Sequence, residues 1–184
     1  PAGRIGGGFT PDAAALRASS WAAVDGLRGD IPLLALSAGD RLDVGPGARA
    51  EILHPPLQLD ADPNNASVCL RLSLPGNRAR ILSWRTGRDV PLPLPEGRIR
   101  LLLTGDLENW GTALLLADDR DLGSEILLVP HHGRALPAMT EFLKRTRPGE
   151  AWISAREAFA SPATLAALTE SGATVRETWR EGAL

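Results

Sequence analysis

Two apolar runs of strand length, Ile99–Leu103 and Ile126–Val129, each end in a short glycine-containing turn. The first turn is Thr104-Gly105-Asp106 and the second is Pro130-His131-His132-Gly133. No other feature of the chain restricts the fold as much. Runs this apolar read as central strands, covered on both faces. Glycine lets the backbone reverse where a side chain would clash. A carboxylate and two imidazoles then sit where strands leave a sheet, with the backbone fixed by the sheet and the side chains freed by the loop. Carboxylate oxygen with imidazole nitrogen is a donor mixture that suits Zn or Mn. Asp106, His131 and His132 are therefore the candidate metal ligands, and Asp106 and His131 the candidate catalytic residues.

The sequence around these turns is mostly β before Leu103 and alternates β with α after it. Thr10 and Pro11 begin a helix that runs to about Val24. Short strands are predicted over 33–36 and 41–44. Residues 49–53 alternate and end at His54-Pro55-Pro56, which stops the strand; His54 is expected in a loop. Residues 57–65 form a polar loop, 67–74 a strand, and Pro75-Gly76-Asn77 a turn. A strand at 78–84 and an extended Pro/Leu connection at 90–95 come next. Leu107–Ala117 reads as a helix that Asp106 could cap, so on local sequence Asp106 is either cap or ligand. Further helices are predicted over 137–145 and 162–171, the latter capped by Ser161, with strands at 151–154 and 174–179.

The chain has 184 residues, 43% of them hydrophobic, and a net charge of −2. That suffices for one domain with a real core. No apolar run approaches the roughly 20 residues of a membrane helix, and no signal peptide opens the chain. The start at Pro1 reads as a piece of a longer protein. Cys69 is the only cysteine, which excludes an intrachain disulfide and a cysteine-rich zinc site; it is expected to be a small buried apolar residue. Of the 20 basic residues only Lys144 is lysine. A GC-rich genome accounts for that bias, and phosphate recognition by the arginine fork is the functional alternative. The balanced charge gives no global nucleic-acid footprint, so any such site is a local patch.

The order of three elements carries a family likeness. Asp62-Pro63-Asn64-Asn65-Ala66-Ser67, then Leu101-Leu102-Leu103-Thr104-Gly105-Asp106-Leu107-Glu108, then Leu127-Leu128-Val129-Pro130-His131-His132-Gly133, resembles the metallo-β-lactamase-like domain of ComEC-type competence proteins. These are DNA-internalisation channels of naturally transformable bacteria. The resemblance implies an α/β fold, the latter part of a four-layer αββα sandwich. It implies an extracytoplasmic domain attached to a membrane channel protein, a divalent metal, and cleavage of the DNA strand that is not imported. On it, Asp106 matches a bridging metal carboxylate, His131 and His132 a late histidine position, and Asn65 and Ser67 an Asn-x-Ser site element. Locally, Asn64 and Asn65 read as turn residues, and Asn65-Ala66-Ser67 also matches a glycosylation acceptor.

The chain departs from that pattern at informative places. The family's first metal motif has the form His-x-Asp-x-Asp-His followed by Ile-Gly-Gly. Aligned with Pro1–Gly7, Gly3 stands at the second Asp and Arg4 at the second His. A guanidinium stays charged and coordinates no metal, and Arg4 is expected to replace a lost cation by pairing with Asp106. Arg134 stands where Ser or Thr usually follows His-His-Gly, and Ser161-Pro162 where His-Pro is usual. Two-ion hydrolysis of a phosphodiester needs both metals within about 4 Å, and a catalytic zinc takes about three protein ligands. Asp106 and one histidine fall short. The site therefore reads as weakened, with a catalytically silent DNA-guiding or structural module as the alternative to a nuclease, and a small-molecule hydrolase on the same fold as a third. Arg78, Arg80, Arg98 and Arg100 are the candidate DNA contacts: each pair shares a strand face, with Trp84 nearby for base stacking. The competing expectation is a solvated sheet face.

Overall fold

The computed structural model describes residues 36–57, 59, 62–76, 81–82, 89–90 and 97–182. The chain divides into compact units Pro1–Leu36 and Ser37–Leu184, and all the strands and helices described belong to the second. The expected helix at 11–24, the strand at 33–36 except its last residue, Gly3, Arg4, Arg78, Arg80 and Trp84 lie outside the described residues.

A mixed sheet of seven strands organises the second unit. Its strands are β1 (Arg41–Gly45), β2 (Ala48–His54), β3 (Cys69–Pro75), β6 (Arg98–Leu103), β7 (Ile126–Leu128), β8 (Glu150–Ile153) and β9 (Thr174–Glu177), in that spatial order, while β4 (Ile81–Leu82) and β5 (Asp89–Val90) form a separate ribbon. The first four sheet strands pair antiparallel and β6 to β9 pair parallel. Parallel pairing needs long crossovers, and those of this chain carry the helices α1 (Asn109–Ala117), α2 (Met139–Thr146) and α3 (Pro162–Glu170), with a single turn α4 (Thr178–Glu181) after β9. None of the described helices is long and apolar enough to cross a membrane.

Side chains alternate across a strand, and that alternation separates two apolar surfaces. Leu53, Cys69, Leu102, Leu127, Ala151 and Ile153 share one face and cluster with Leu115, Phe142, Leu143 and Leu168 of the helices. The helices therefore cover that face. The opposite face carries Leu70, Leu72, Leu101, Leu103, Leu128 and Trp152, all partly buried. The expected Gly39-Asp40 turn is present, with Asp40 accepting the Ser37 N–H at 2.7 Å. Ser161 caps α3 by accepting the Thr164 N–H at 3.4 Å. Two expectations are corrected. The helix after β6 begins at Asn109 with Glu108 at its N-cap position, so Asp106 is not a cap. Trp179 leaves the last strand for α4, and its Nε1–H donates to Glu177 at 3.1 Å.

Beyond the reach of the helices, the first face is a ladder of alternating charge. The register aligns Arg41 with Glu51 and Glu51 with Arg71 across three strands. Arg41 meets Glu51 at 3.0 Å, Arg71 meets Glu51 at 2.7 Å and Asp121 at 3.2 Å, and Arg100 meets Asp121 at 3.1 Å and Glu125 at 2.9 Å. Burial raises the Glu51 carboxyl, but the hydrogen bonds and charges of Arg71 and Arg41 outweigh it and hold the group below its ordinary range. Glu125 is likewise raised by burial and brought lower overall by Arg100. Asp121 is lowered first by the Gly123 N–H and then by Arg71 and Arg100.

Carboxyls lowered in the folded state stabilise above their ordinary values, and lose that contribution as pH falls through the lowered ones. Arg71→Met is expected to cost about 1–2 kcal/mol at pH 7. The gap from wild type should close between about pH 5 and pH 2 as the carboxyls protonate. Thermal melts across that range check it, and parallel curves would show that the ladder is not coupled to folding.

Candidate functional site

The carboxyl ends of the parallel strands lie at one edge of the sheet, and β2 ends and β3 begins there too. Four loops meet at this edge, and they contain Asn65, Ser67, Asp106, His131 and His132. The β6–β7 register, Leu101 with Ile126 and Leu102 with Leu127, sets the turns after the two strands side by side. The His131 N–H donates to the Gly105 carbonyl at 3.1 Å, and Thr104 Oγ1 donates to the Leu128 carbonyl at 2.7 Å.

Within that frame the two histidines part. His132 Nε2 lies 3.2 Å from Asp106 Oδ1, and His131 Nδ1 lies 3.0 Å from Glu108 Oε1. Their ring centroids are 6.4 Å apart. Neither residue is extended. Both have left-handed backbones, φ 46° and 57°, inside a 3₁₀ turn over Pro130–Gly133. Non-glycine residues incur a steric cost in that region, and runs of them gather at sites where the surroundings enforce them. The enforcing contacts here are the Gly105 carbonyl on one side and, on the other, the Ser161 N–H donating to the Gly133 carbonyl at 2.8 Å.

Hydrogen bonding assigns the ring nitrogens. The Ser154 carbonyl only accepts, so the His132 Nδ1–H donates to it at 2.6 Å. Nε2 is left facing Asp106. Glu108 Oε1 accepts from Asn64 Nδ2 at 2.9 Å and lies 3.0 Å from His131 Nδ1. Holding an imidazole through Nδ1 and freeing Nε2 is how a metal-binding histidine is oriented, and His132 has that support. The count of donors does not match. Asp106 with His132 Nε2 makes two donors, and no group of three or more His, Cys, Asp or Glu that could hold a metal ion exists among the described residues. These residues do not fit a hydrolytic metal centre.

The other candidates divide by role. Asn65 is buried and structural: its Oδ1 accepts the Gly111 N–H at 2.8 Å and its Nδ2 donates to Asp62 at 2.7 Å. The bond to Gly111 ties the Asp62–Ser67 loop to the start of α1. Ser67 packs against Gly105, where a Cβ would come within 3.2 Å of the serine Cβ. Cys69 is buried in the core as expected. Burial pushes its thiol up to about 12, and it donates to the Thr104 carbonyl at 3.3 Å. His54 is not a loop residue but the buried end of β2, donating from Nε2 to the Asn65 carbonyl at 2.8 Å. Burial lowers its pKa, opposed by that backbone bond.

Of the four candidate DNA-contacting arginines, Arg98 and Arg100 lie among the described residues. Arg100 is bound into the charge ladder through Glu125 and Asp121. Arg98 is exposed and donates to the Gly47 carbonyl at 3.4 Å. Sequence reasoning passed over Glu108 as the second carboxylate of the site and Phe159 at its rim. Glu108 was visible two residues after Asp106, whereas nothing in the sequence ties position 159 to the histidines. Comparison with protein families, with curated proteins and with solved structures finds no match for this chain.

The left-handed backbone at His131 can be tested apart from its side chain. His131→Ala and His131→Gly both remove the pair with Glu108, but only alanine keeps a Cβ at φ 46°. The glycine variant is expected to be more stable than the alanine variant by about 1 kcal/mol in urea unfolding. Equal stabilities would show that the turn relaxes once the imidazole is gone.

Proposed function

We propose that this chain is the extracytoplasmic domain of a ComEC-type DNA-internalisation protein of the bacterial cell membrane, on a metallo-β-lactamase-like αββα sandwich. In this reading it handles the DNA strand that is not imported, and works as a DNA-guiding module with nuclease ancestry. The observation that carries the reading is the meeting of the Gly105-Asp106 and His131-His132 turns, with His132 Nε2 3.2 Å from Asp106. That is where the family likeness expects a carboxylate and a late histidine to converge.

Two further features support it. A sheet that is apolar on both faces, with helices on one, is half of a four-layer sandwich in its surface chemistry. The Nδ1 anchoring of His132 on the Ser154 carbonyl is the support that a ligating imidazole requires. The guiding role rather than strand cleavage is favoured by the donor count. A pair of ions about 4 Å apart needs a crowd of ligands, and Asp106 with one imidazole is two. No hydrolytic step is drawn through such ions.

Titration of the 184-residue chain with Mn²⁺ or Zn²⁺ in a calorimeter tests this. The expected result is at most one weakly held ion, and Mn²⁺-dependent cleavage of single-stranded DNA no greater for wild type than for Asp106→Ala. Tight uptake of two ions, with cleavage lost in Asp106→Ala, would overturn the guiding role and restore the nuclease.

A further inference from the structure

Two arginines at the rim of the site have no carboxylate partner among the described residues. Arg134 follows the histidine turn and Arg156 follows β8, so different loops deliver them. Both stack on one aromatic ring: the Arg134 guanidinium carbon lies 5.2 Å from the centroid of Phe159 and that of Arg156 lies 5.8 Å from it. The same ring takes the edge of His132, with centroids 5.9 Å apart at 82°. His132 in turn faces Asp106. Arg134 also lines a cleft of about 220 Å³ with His131 and Glu108.

We propose that Arg134, Arg156 and Phe159 form a phosphate cradle, and that it holds the sugar-phosphate backbone of single-stranded DNA against the His132–Asp106 pair. This rests on the DNA-guiding reading above and supplies the contact that reading lacks. The physical argument has three parts. Two like charges brought to one ring repel each other, which a phosphate between them relieves. The guanidinium fork matches phosphate oxygens bidentately. Stacking on Phe159 fixes both forks before the ligand arrives, so less side-chain entropy is lost on binding. Of the neighbouring carboxylates, Glu108 already accepts from Asn64 Nδ2 at 2.9 Å, which limits its repulsion of the ligand. Arg100, by contrast, already shares its charge with Asp121 and Glu125.

The test is anisotropy of a fluorescein-labelled single strand of about 12 nucleotides with the 184-residue chain at about 50 and about 200 mM NaCl. Arg134→Ala and Arg156→Ala are each expected to weaken binding about 5- to 10-fold, and the pair about 30-fold or more. The slope of log affinity against log salt should fall by about one per arginine removed. Phe159→Leu, which removes no charge, should weaken binding about 3-fold or more without changing that slope as much. Arg49→Ala, which removes an exposed arginine paired with Asp43, should leave the affinity within about 2-fold, and melting temperatures should show that every variant is folded. Tight wild-type binding unaffected by the double substitution overturns the cradle and leaves the DNA-guiding reading standing. No binding by wild type at the lower salt overturns both. Loss in the double variant with no effect of Phe159→Leu overturns the role of the ring as the fixing platform.

Discussion

The parallel pairing of β6 with β7 is the constraint that sets up the site. Leu102 and Leu127 are fully buried and lie opposite one another, so a one-residue slip of either strand would turn its leucine out of the core. That makes the register hard to change. The turns beyond the two strands are consequently fixed in relative height, and the His131 N–H reaches the Gly105 carbonyl. Asp106 and His132 are neighbours because two leucines are buried, not because either side chain seeks the other. A half-exposed imidazole–carboxylate pair is worth too little on its own to hold two loops together.

The arginines show how position decides what a charge does. Arg41, Arg71 and Arg100 stand on one sheet face among Glu51, Asp121 and Glu125, and each is neutralised by geometry that the strand register supplies. Their charges are satisfied within the fold. Arg134 and Arg156 stand on loops at the carboxyl edge, where no register brings a carboxylate to them, and an aromatic ring takes them instead. Counting arginines along the chain treats these two groups alike. Only the pairing of strands separates a structural ladder from a surface able to meet a polyanion.

The same distinction explains what could be read in advance. The central strands, the helices between them and the convergence of residues 106 and 131–132 arise from apolar runs and glycine turns, whose physics is local. Cys69 in the core and Ser161 as a cap were legible for the same reason. Asp106 as a helix cap was not settled by local rules, because the helix starts only at Asn109, after Leu107 has turned into the core. The left-handed histidines were hidden as well, since glycine at 133 suggested that the glycine alone made the turn. Arg100 as a partner of Glu125, and Phe159 beside His132, depend on contacts 25 and 27 residues apart in sequence, which no motif spacing encodes.

On the proposed reading, a site of metal-binding ancestry that is short of ligands faces an electrostatic problem that these residues answer. Carboxylates at the rim of a cleft repel phosphate, and divalent ions would ordinarily reverse that field. Glu108 accepts from Asn64 Nδ2, which offsets part of that repulsion without an ion. The Nδ1–H of His132 donates to the Ser154 carbonyl and keeps that ring beside Asp106. Positive charge must still be supplied for a polyanion to bind rather than merely be tolerated. Arginine is the residue that supplies it irrespective of pH, and Arg134 stands directly after the histidine turn, where the family likeness expects serine or threonine. A hydroxyl there would serve a site whose ions carry the charge. A guanidinium there serves a site in which the protein carries it.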